Sequence, residues 1–357
     1  MTDIIEYGFV PTMMPEDAEG IPARITAVHK ERYELVCEHD QAFGRLKTAK
    51  YYGEGSEPFP VTGDFVLIHY NDRGDSQIIK TLQRKSKFAR SDFSGHKFEY
   101  VKTVKEQVIA ANFDYVFIMA SLNHEFNIRR IERYLSLAWQ SGAVPVIVLT
   151  KADLVEDHGA MMRETEKIAA GVGVYAISAV TGYGVDRLSD YLRPRKTIVF
   201  LGSSGVGKSS LVNRLAGEDI MEVKKIREDD SRGRHTTTHR QLLLMPGGVM
   251  IIDTPGLREL GMWDLSEGLG EAFSDVEQYF CMCRFTDCTH RNEPGCAVKV
   301  AIADGSLAAE RWENYLKLKQ EAGFSNDKAA YVRQKEQRHK EISKWSRLKK
   351  KSGEIRK

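Results

Sequence analysis

Residues 202–210 read GSSGVGKSS and fit the pattern G-x-x-x-x-G-K-S/T. The apolar run TIVFL (197–201) supplies a strand before it, and SSLVNRLAG (209–217) a helix after it. In that context the backbone N–H groups of Gly202, Ser203, Ser204, Gly205, Val206 and Gly207 can close around a polyphosphate. Lys208 would meet the β- and γ-phosphates and Ser209 would offer its hydroxyl to Mg²⁺. Ser210 falls in the first turn of a helix whose N-terminus favours anions. Downstream, DTPG (253–256) follows the buried run GVMII (248–252). A carboxylate at the end of such a strand, Asp253, is the expected partner of that Mg²⁺, and the Gly256 N–H can approach the γ-phosphate.

A phosphate cradle does not choose a base. Guanine presents two adjacent donors, N1–H and the exocyclic amine, which one carboxylate can accept in bidentate fashion; adenine has no such pair. LTKADL (149–154) closes the apolar run VPVIVLT (144–150) and contributes Thr150, Lys151 and Asp153. The lysine stem can lie over the base while Asp153 reads its edge. Alone, the stretch reads more simply as a strand-end turn with solvated charges. The next buried run, however, ends in Ser178 and Ala179, where a backbone N–H can meet guanine O6. Both stretches lie at carboxyl ends of strands, where open α/β sheets bind ligands. GTP is therefore expected rather than ATP. The order is reader, reader, cradle, Mg²⁺ strand, with the cradle after the readers instead of before them. A parallel sheet tolerates this order if its original ends are joined and new ends are opened elsewhere, so a circularly permuted GTPase domain is expected.

Between the cradle and DTPG, REDDSRGRHTTTHRQ (227–241) is polar and without period, as a mobile loop would be. One of Thr236 and Thr237 is expected on the γ-phosphate and Mg²⁺, with Thr237 taken as the metal ligand beside Ser209. After Gly256, where Ras-like enzymes carry a water-orienting glutamine, stands Leu257, which neither donates nor accepts. His235 is the candidate for placing the attacking water; the alternative is a partner that completes the site. Either arrangement predicts slow intrinsic hydrolysis that a partner accelerates.

Four of the five cysteines crowd into 281–296. Cys283, Cys288 and Cys296 with His290 make three thiolates and one imidazole, a closed tetrahedral set for one structural Zn²⁺. Cys281 could replace Cys283, although the two are too close to serve together.

Several elements must position these groups. The 357 residues exceed one compact domain, and 42% hydrophobic with 29% charged residues fits a soluble globular chain. No apolar run is long enough to span a bilayer, and the N-terminus lacks the basic start and apolar core of an export signal. A cytoplasmic protein with no membrane association is expected, a setting where clustered cysteines suggest metal rather than disulfides.

Residues 1–20, acidic and aperiodic, read as a mobile arm or loosely attached strand. In 21–85, RITAV, YELVCE, FGRLKTA, DFVLIHY and SQIIKTLQ are five short β segments divided by turn residues. They suit a five-stranded barrel of the oligonucleotide/oligosaccharide-binding type; a β scaffold without ligand has the same pattern. Residues 86–110 read as a linker with a basic stripe. Over 111–265, buried runs such as YVFIMA (115–120) alternate with amphipathic IRRIERYLSLAWQ (128–140) and MMRETEKIAAGV (161–172), which means a mainly parallel α/β sheet. A helical zinc-binding domain is expected over 266–325, with a helix across 308–323 stopped by Gly323. Residues 326–357 form a basic tail. The chain carries a net charge of only +2, yet 325–357 holds twelve Lys/Arg against four Asp/Glu. RNA phosphates and a solvated helical face account for it alike.

The order TKAD, SA, GSSGVGKSS, GRHTTT, DTPG, then a Cys/Cys/His/Cys segment, resembles the ribosome small-subunit-dependent GTPase A family (RsgA, or YjeQ). EQVIAANFDYVF (106–117) and FTDCTHRNEPGCAV (285–298) extend the similarity over nearly the whole chain. The resemblance implies a late-acting factor, expected to be a monomer, that binds the small (30S) ribosomal subunit. It would hydrolyse GTP to GDP and phosphate under that subunit's stimulation and assist its maturation, with barrel and zinc domain touching rRNA. The acidic first twenty residues and Cys281 have no place in the resemblance. The rival readings are a GTPase of another translation or RNA-modification step, and a non-catalytic GTP-gated RNA-binding module. Intact Lys208, Ser209 and Asp253 argue against the second.

Overall fold

The computed structural model describes residues 3–52, 57–92, 105–221, 240–253 and 266–326. Short runs rich in β-branched and aromatic residues in 21–81 produce β1 (Ile21–His29), β2 (Arg32–Cys37), β3 (Asp40–Leu46), a short helix α1 (Thr48–Tyr51), β4 (Phe65–His69) and β5 (Ser76–Thr81). β1 pairs antiparallel with both β2 and β4, while β3 runs parallel to β5, so the five expected strands close in the order β1-β2-β3-β5-β4. Ala23, Ile25, Leu35, Val66, Ile68 and Ile78 fill the interior. The N-terminal arm is not loose across its described residues. Ile4 and Phe9 are buried on the barrel against Val36, Phe65 and Leu67, because the acidic stretch carries enough apolar side chains to cover that face.

The expected linker is structured where it is described. β6 (Lys87–Asp92) and β7 (Lys105–Ala111) form an antiparallel pair, and Phe88, Ile109 and Ala110 enter the main core. KFARSD and KEQVIAA carry no regular two-residue period, so neither strand stands out in the sequence.

The central unit follows with β8 (Tyr115–Ser121), α2 (Ile128–Gln140), β9 (Val144–Thr150), α3 (Gly159–Ile168), β10 (Gly173–Ala176), β11 (Thr197–Gly202), α4 (Lys208–Ala216), β12 (Gln241–Leu244) and β13 (Met250–Asp253). The strands lie in the order β10-β9-β8-β11-β13-β12, parallel except for β12. Antiparallel β12 was not expected; at four residues it is too short to show a period. The chain runs outward from β8 to β10, then outward the other way from β11 to β13. The order therefore reverses between β8 and β11, the place where such sheets bind ligands. Ile131, Leu135 and Ala138 of α2 cover one face, and Leu211 and Val212 of α4 the other.

The C-terminal segment contributes α5 (Ser266–Ala272), α6 (Ser274–Glu277), α7 (Ala297–Ala303) and α8 (Ala309–Asn326). α8 continues through Gly323, since a mid-helix glycine costs only about 1 kcal/mol. Leu269, Phe273, Val298 and Tyr315 share one core with α2. Buried Arg311 reaches Glu132 of α2 at 2.6 Å and Asp275 at 2.7 Å. The boundary expected at 265/266 is thus not a boundary between cores. No helix among the described residues is long and apolar enough to cross a membrane.

Candidate functional site

The cradle sits between β11 and α4. Gly207 takes φ 101°, a left-handed conformation that disfavours any side chain, and it hands the chain directly to the helix. At Gly202 a Cβ would lie 2.9 Å from the Met119 carbonyl oxygen of neighbouring β8, so close strand packing also demands glycine there. Lys208 opens α4, followed by Ser209 and Ser210 in its first turn. Lys208 Nζ lies 2.7 Å from Asp253 Oδ1 at the end of β13. The cation of the cradle and the carboxylate of the neighbouring strand, distant in sequence, therefore converge on one point.

The reader stretches lie beside this point. Thr150, the last residue of β9, is buried, and its hydroxyl donates to the Val206 carbonyl at 2.5 Å. The sequence placed Thr150 among nucleotide-binding residues; its described contact is a brace between reader strand and cradle. Lys151 takes a left-handed φ of 60° and starts the single turn Ala152–Leu154, which exposes Asp153. Among the described residues nothing occupies the Asp153 carboxylate. The Ala152 N–H donates to the Ile177 carbonyl at 3.0 Å, which places the TKAD turn against the end of the next run. Ser178 is buried, and its hydroxyl accepts the Thr181 N–H at 3.1 Å, shaping the turn that carries Ala179. The β9 and β10 sides of the sheet thus bring both readers to the same edge as the cradle. His235, Thr236, Thr237, Gly256 and Leu257 lie outside the described residues.

A second cluster forms in the connection between α6 and α7. The ligand atoms of Cys283, Cys288, His290 and Cys296 all lie within 4.8 Å of one another and could hold a metal ion. His290 Nδ1 is 3.4 Å from Cys283 Sγ and 3.6 Å from Cys296 Sγ. Cys281 is exposed, and its thiol donates to the Gln278 carbonyl at 3.2 Å, so the alternative of Cys281 for Cys283 falls away. Phe280 stacks on the His290 ring at 4.4 Å, and Trp312 of α8 meets it edge-on at 5.8 Å.

The sequence reading passed over Glu293. Its carboxylate accepts the N–H groups of Thr289 at 3.0 Å, Arg291 at 2.9 Å and Asn292 at 2.9 Å, as well as the Thr289 hydroxyl. The Thr289 hydroxyl first, then the backbone N–H groups of Glu293 itself, Thr289 and Arg291, hold the Glu293 carboxyl down at about 2. Because its folded value is depressed, the brace is fully present above the ordinary glutamate range and fades only as pH falls toward about 2. It spans His290, a non-glycine residue at φ 60°. The available signal was a carboxylate beside Pro294 and Gly295 in a turn full of orphan N–H groups.

Comparison with known proteins agrees with this geometry. The model of the family described as RsgA GTPase matches residues 81–263. The chain is 45% identical over 343 residues to "Small ribosomal subunit biogenesis GTPase RsgA 2" of Listeria monocytogenes, covering 95% of each chain. Among solved structures it is similar to YjeQ from Thermotoga maritima, with TM-score 0.63 and 28% identity over 85% of this chain and 98% of that one. It also shares the fold of YloQ, described as a circularly permuted GTPase, with TM-score 0.59 and 22% identity over 87% of this chain and 97% of that one.

Proposed function

The chain belongs to the RsgA GTPase family, and from that membership we propose that it hydrolyses GTP on the small ribosomal subunit during that subunit's assembly. The observation that carries this reading is the convergence of TKAD, Ser178-Ala179, the cradle and Asp253 at the carboxyl ends of one parallel sheet. Asp153 reads the guanine edge, the Lys151 stem covers the base, and a backbone N–H at Ser178-Ala179 meets O6. Lys208 and the cradle N–H groups hold the phosphates. Ser209 and Thr237 hold Mg²⁺, with Asp253 as its partner and Gly256 at the γ-phosphate. Mg²⁺ neutralises charge that develops on the phosphate oxygens. The protein's own groups supply the remainder, which is position and fixed charge.

Leu257 cannot orient water, so His235 takes that role or the subunit supplies it. His235→Ala is expected to lower subunit-stimulated turnover about 10²-fold or more, the range for a positioned proton-handling group. Phosphate release with and without small subunits measures this, and an unchanged rate removes the histidine from the mechanism. The wider reading is tested by turnover with isolated small subunits, large subunits and tRNA. Stimulation by small subunits alone is expected; its absence sinks the assignment.

Zinc is the metal proposed for the Cys283, Cys288, His290 and Cys296 set. Ideal Zn–S and Zn–N lengths of about 2.3 and 2.0 Å give a tetrahedral edge of roughly 3.5 Å. The Nδ1 to Sγ separations of 3.4 and 3.6 Å fit that edge. All four positions are protein ligands, so the ion has a structural role. Glu293→Ala removes the brace around His290 and is expected to weaken zinc retention about 10- to 100-fold, as loss of outer-shell partners does. Competition with a chromophoric chelator reads this directly; wild-type retention would show that the brace is dispensable. The barrel, the zinc segment and the basic tail are the proposed rRNA-facing parts, in a cytoplasmic monomer.

A further inference from the structure

Arg24, on β1 of the barrel, is 1% exposed. Its side chain leaves the barrel and enters the junction with the central sheet. Nε donates to the Gly63 carbonyl at 3.3 Å. Nη1 donates to the Tyr7 carbonyl and lies 3.2 Å from Met250 Sδ. Nη2 donates to the Asn112 carbonyl at 2.9 Å and to Thr197 Oγ1 at 3.0 Å. The guanidinium also sits 4.7 Å from the centre of the Phe65 ring. None of these hydrogen-bond partners is a carboxylate. Burial draws the guanidinium down to about 10 even though the carboxylates of Asp114 and Asp64 act on it through space, with no hydrogen bond or ion pair, so it is a poor device for stability alone.

Two of the partners share a property. Thr197 is the first residue of β11, which runs to the phosphate cradle, and Met250 is the first residue of β13, which ends at Asp253. One guanidinium therefore touches the starting residues of both strands whose far ends meet in the Lys208–Asp253 pair. The backbone makes a second link. Ala27 of β1 lies opposite Gln241 of β12, and Gln241 lies opposite Asp253. The barrel strand is thus tied to β13 at both ends, by a side chain where β13 starts and by a three-strand ladder where it finishes.

We propose that Arg24 is a positioning residue for the nucleotide site: with the Ala27–Gln241–Asp253 ladder it ties the placement of β11 and β13 to the barrel, so that events at the barrel and at the nucleotide are coupled. The inference rests on the guanine-nucleotide reading of the site. Coupling is reciprocal in binding free energy: nucleotide changes the barrel's affinity for a ligand by the same factor as that ligand changes nucleotide affinity, and the altered barrel should show in its amide exchange. This direction can be measured without a ribosome.

The experiment is amide hydrogen exchange of the full chain, without nucleotide, with GDP and with a non-hydrolysable GTP analogue. Wild type is compared with Arg24→Met, Arg24→Lys and Leu35→Ala. In wild type the analogue is expected to slow exchange in the cradle and, by about fivefold or more, in β1 and residues 5–9. In Arg24→Met the cradle protection persists and the barrel protection disappears. Arg24→Lys keeps the charge but has one donor head for partners spread over several segments; it should lose most of the barrel effect, and it serves if the methionine variant does not fold. Leu35→Ala loosens the barrel core away from the junction and should keep the nucleotide-dependent difference on a faster baseline. Barrel protection that survives both Arg24 substitutions, or that Leu35→Ala abolishes equally, overturns the proposal. Wild-type protection confined to the cradle also overturns it. A wild-type cradle that the analogue does not protect refutes the guanine-nucleotide reading itself, and the coupling with it.

Discussion

Asp153→Asn is expected to weaken GTP binding by about 10- to 150-fold, the equivalent of roughly 1.5–3 kcal/mol for hydrogen bonds to a charged group. The variant replaces two acceptor oxygens with one oxygen and one amine. The amine then faces the guanine N1–H or exocyclic amine, donor against donor. Xanthosine triphosphate carries an acceptor oxygen where guanine carries its exocyclic amine, so the variant should prefer it to GTP. Exposure of Asp153 and its lack of a described partner make this a clean substitution, because no fold contact is lost with it. Titration calorimetry with GTP, ATP and xanthosine triphosphate reads the change. Unchanged preference for guanine would remove Asp153 from the base site and with it the strongest argument that TKAD is a reader.

The second large effect is at Lys208. Lys208→Ala removes the one charged side chain of the cradle and leaves Asp253, only 6% exposed, without the cation now 2.7 Å away. Loss of one well-placed donor to a transition state costs about 10²–10³-fold in rate. Here the donor is charged, and the electrostatic repulsion between Asp253 and the phosphates is no longer offset. Subunit-stimulated single-turnover hydrolysis is therefore expected to fall by about 10³-fold or more, with GTP affinity also reduced. Thermal unfolding of the nucleotide-free protein reads the separate cost of leaving the buried Asp253 carboxylate unpaired. A rate within tenfold of wild type would mean that the phosphates are held elsewhere.

Much of the site could be read because its chemistry is local in sequence. A phosphate cradle needs consecutive backbone N–H groups and glycines at fixed intervals, so Gly202 to Ser209 is legible as a string. The cysteine cluster is legible for the same reason, since its four ligands fall within fourteen residues. The five barrel segments and the buried runs of the parallel sheet follow from apolar periodicity. The elements that were misread are those where periodicity is short or mixed. β12 has four residues, β6 and β7 mix charged and apolar residues without a regular period, and the arm hides Ile4 and Phe9 in an acidic stretch.

The kinds of groups and their order along the chain are written in the residues themselves, and with them the permuted arrangement of readers and cradle. Contacts between residues far apart in the chain were decided by the tertiary structure alone. Only there does the Thr150 hydroxyl brace Val206, does Cys283 rather than Cys281 face His290, and does Glu132 bind Arg311 across an expected domain boundary. Arg24 is the extreme case. Nothing in RITAV distinguishes it from a solvated barrel arginine, because the Tyr7, Asn112, Thr197 and Met250 atoms that surround it come from four separate stretches. Periodicity reports which face of a strand is buried; what that face is buried against depends on how the strands are ordered in space.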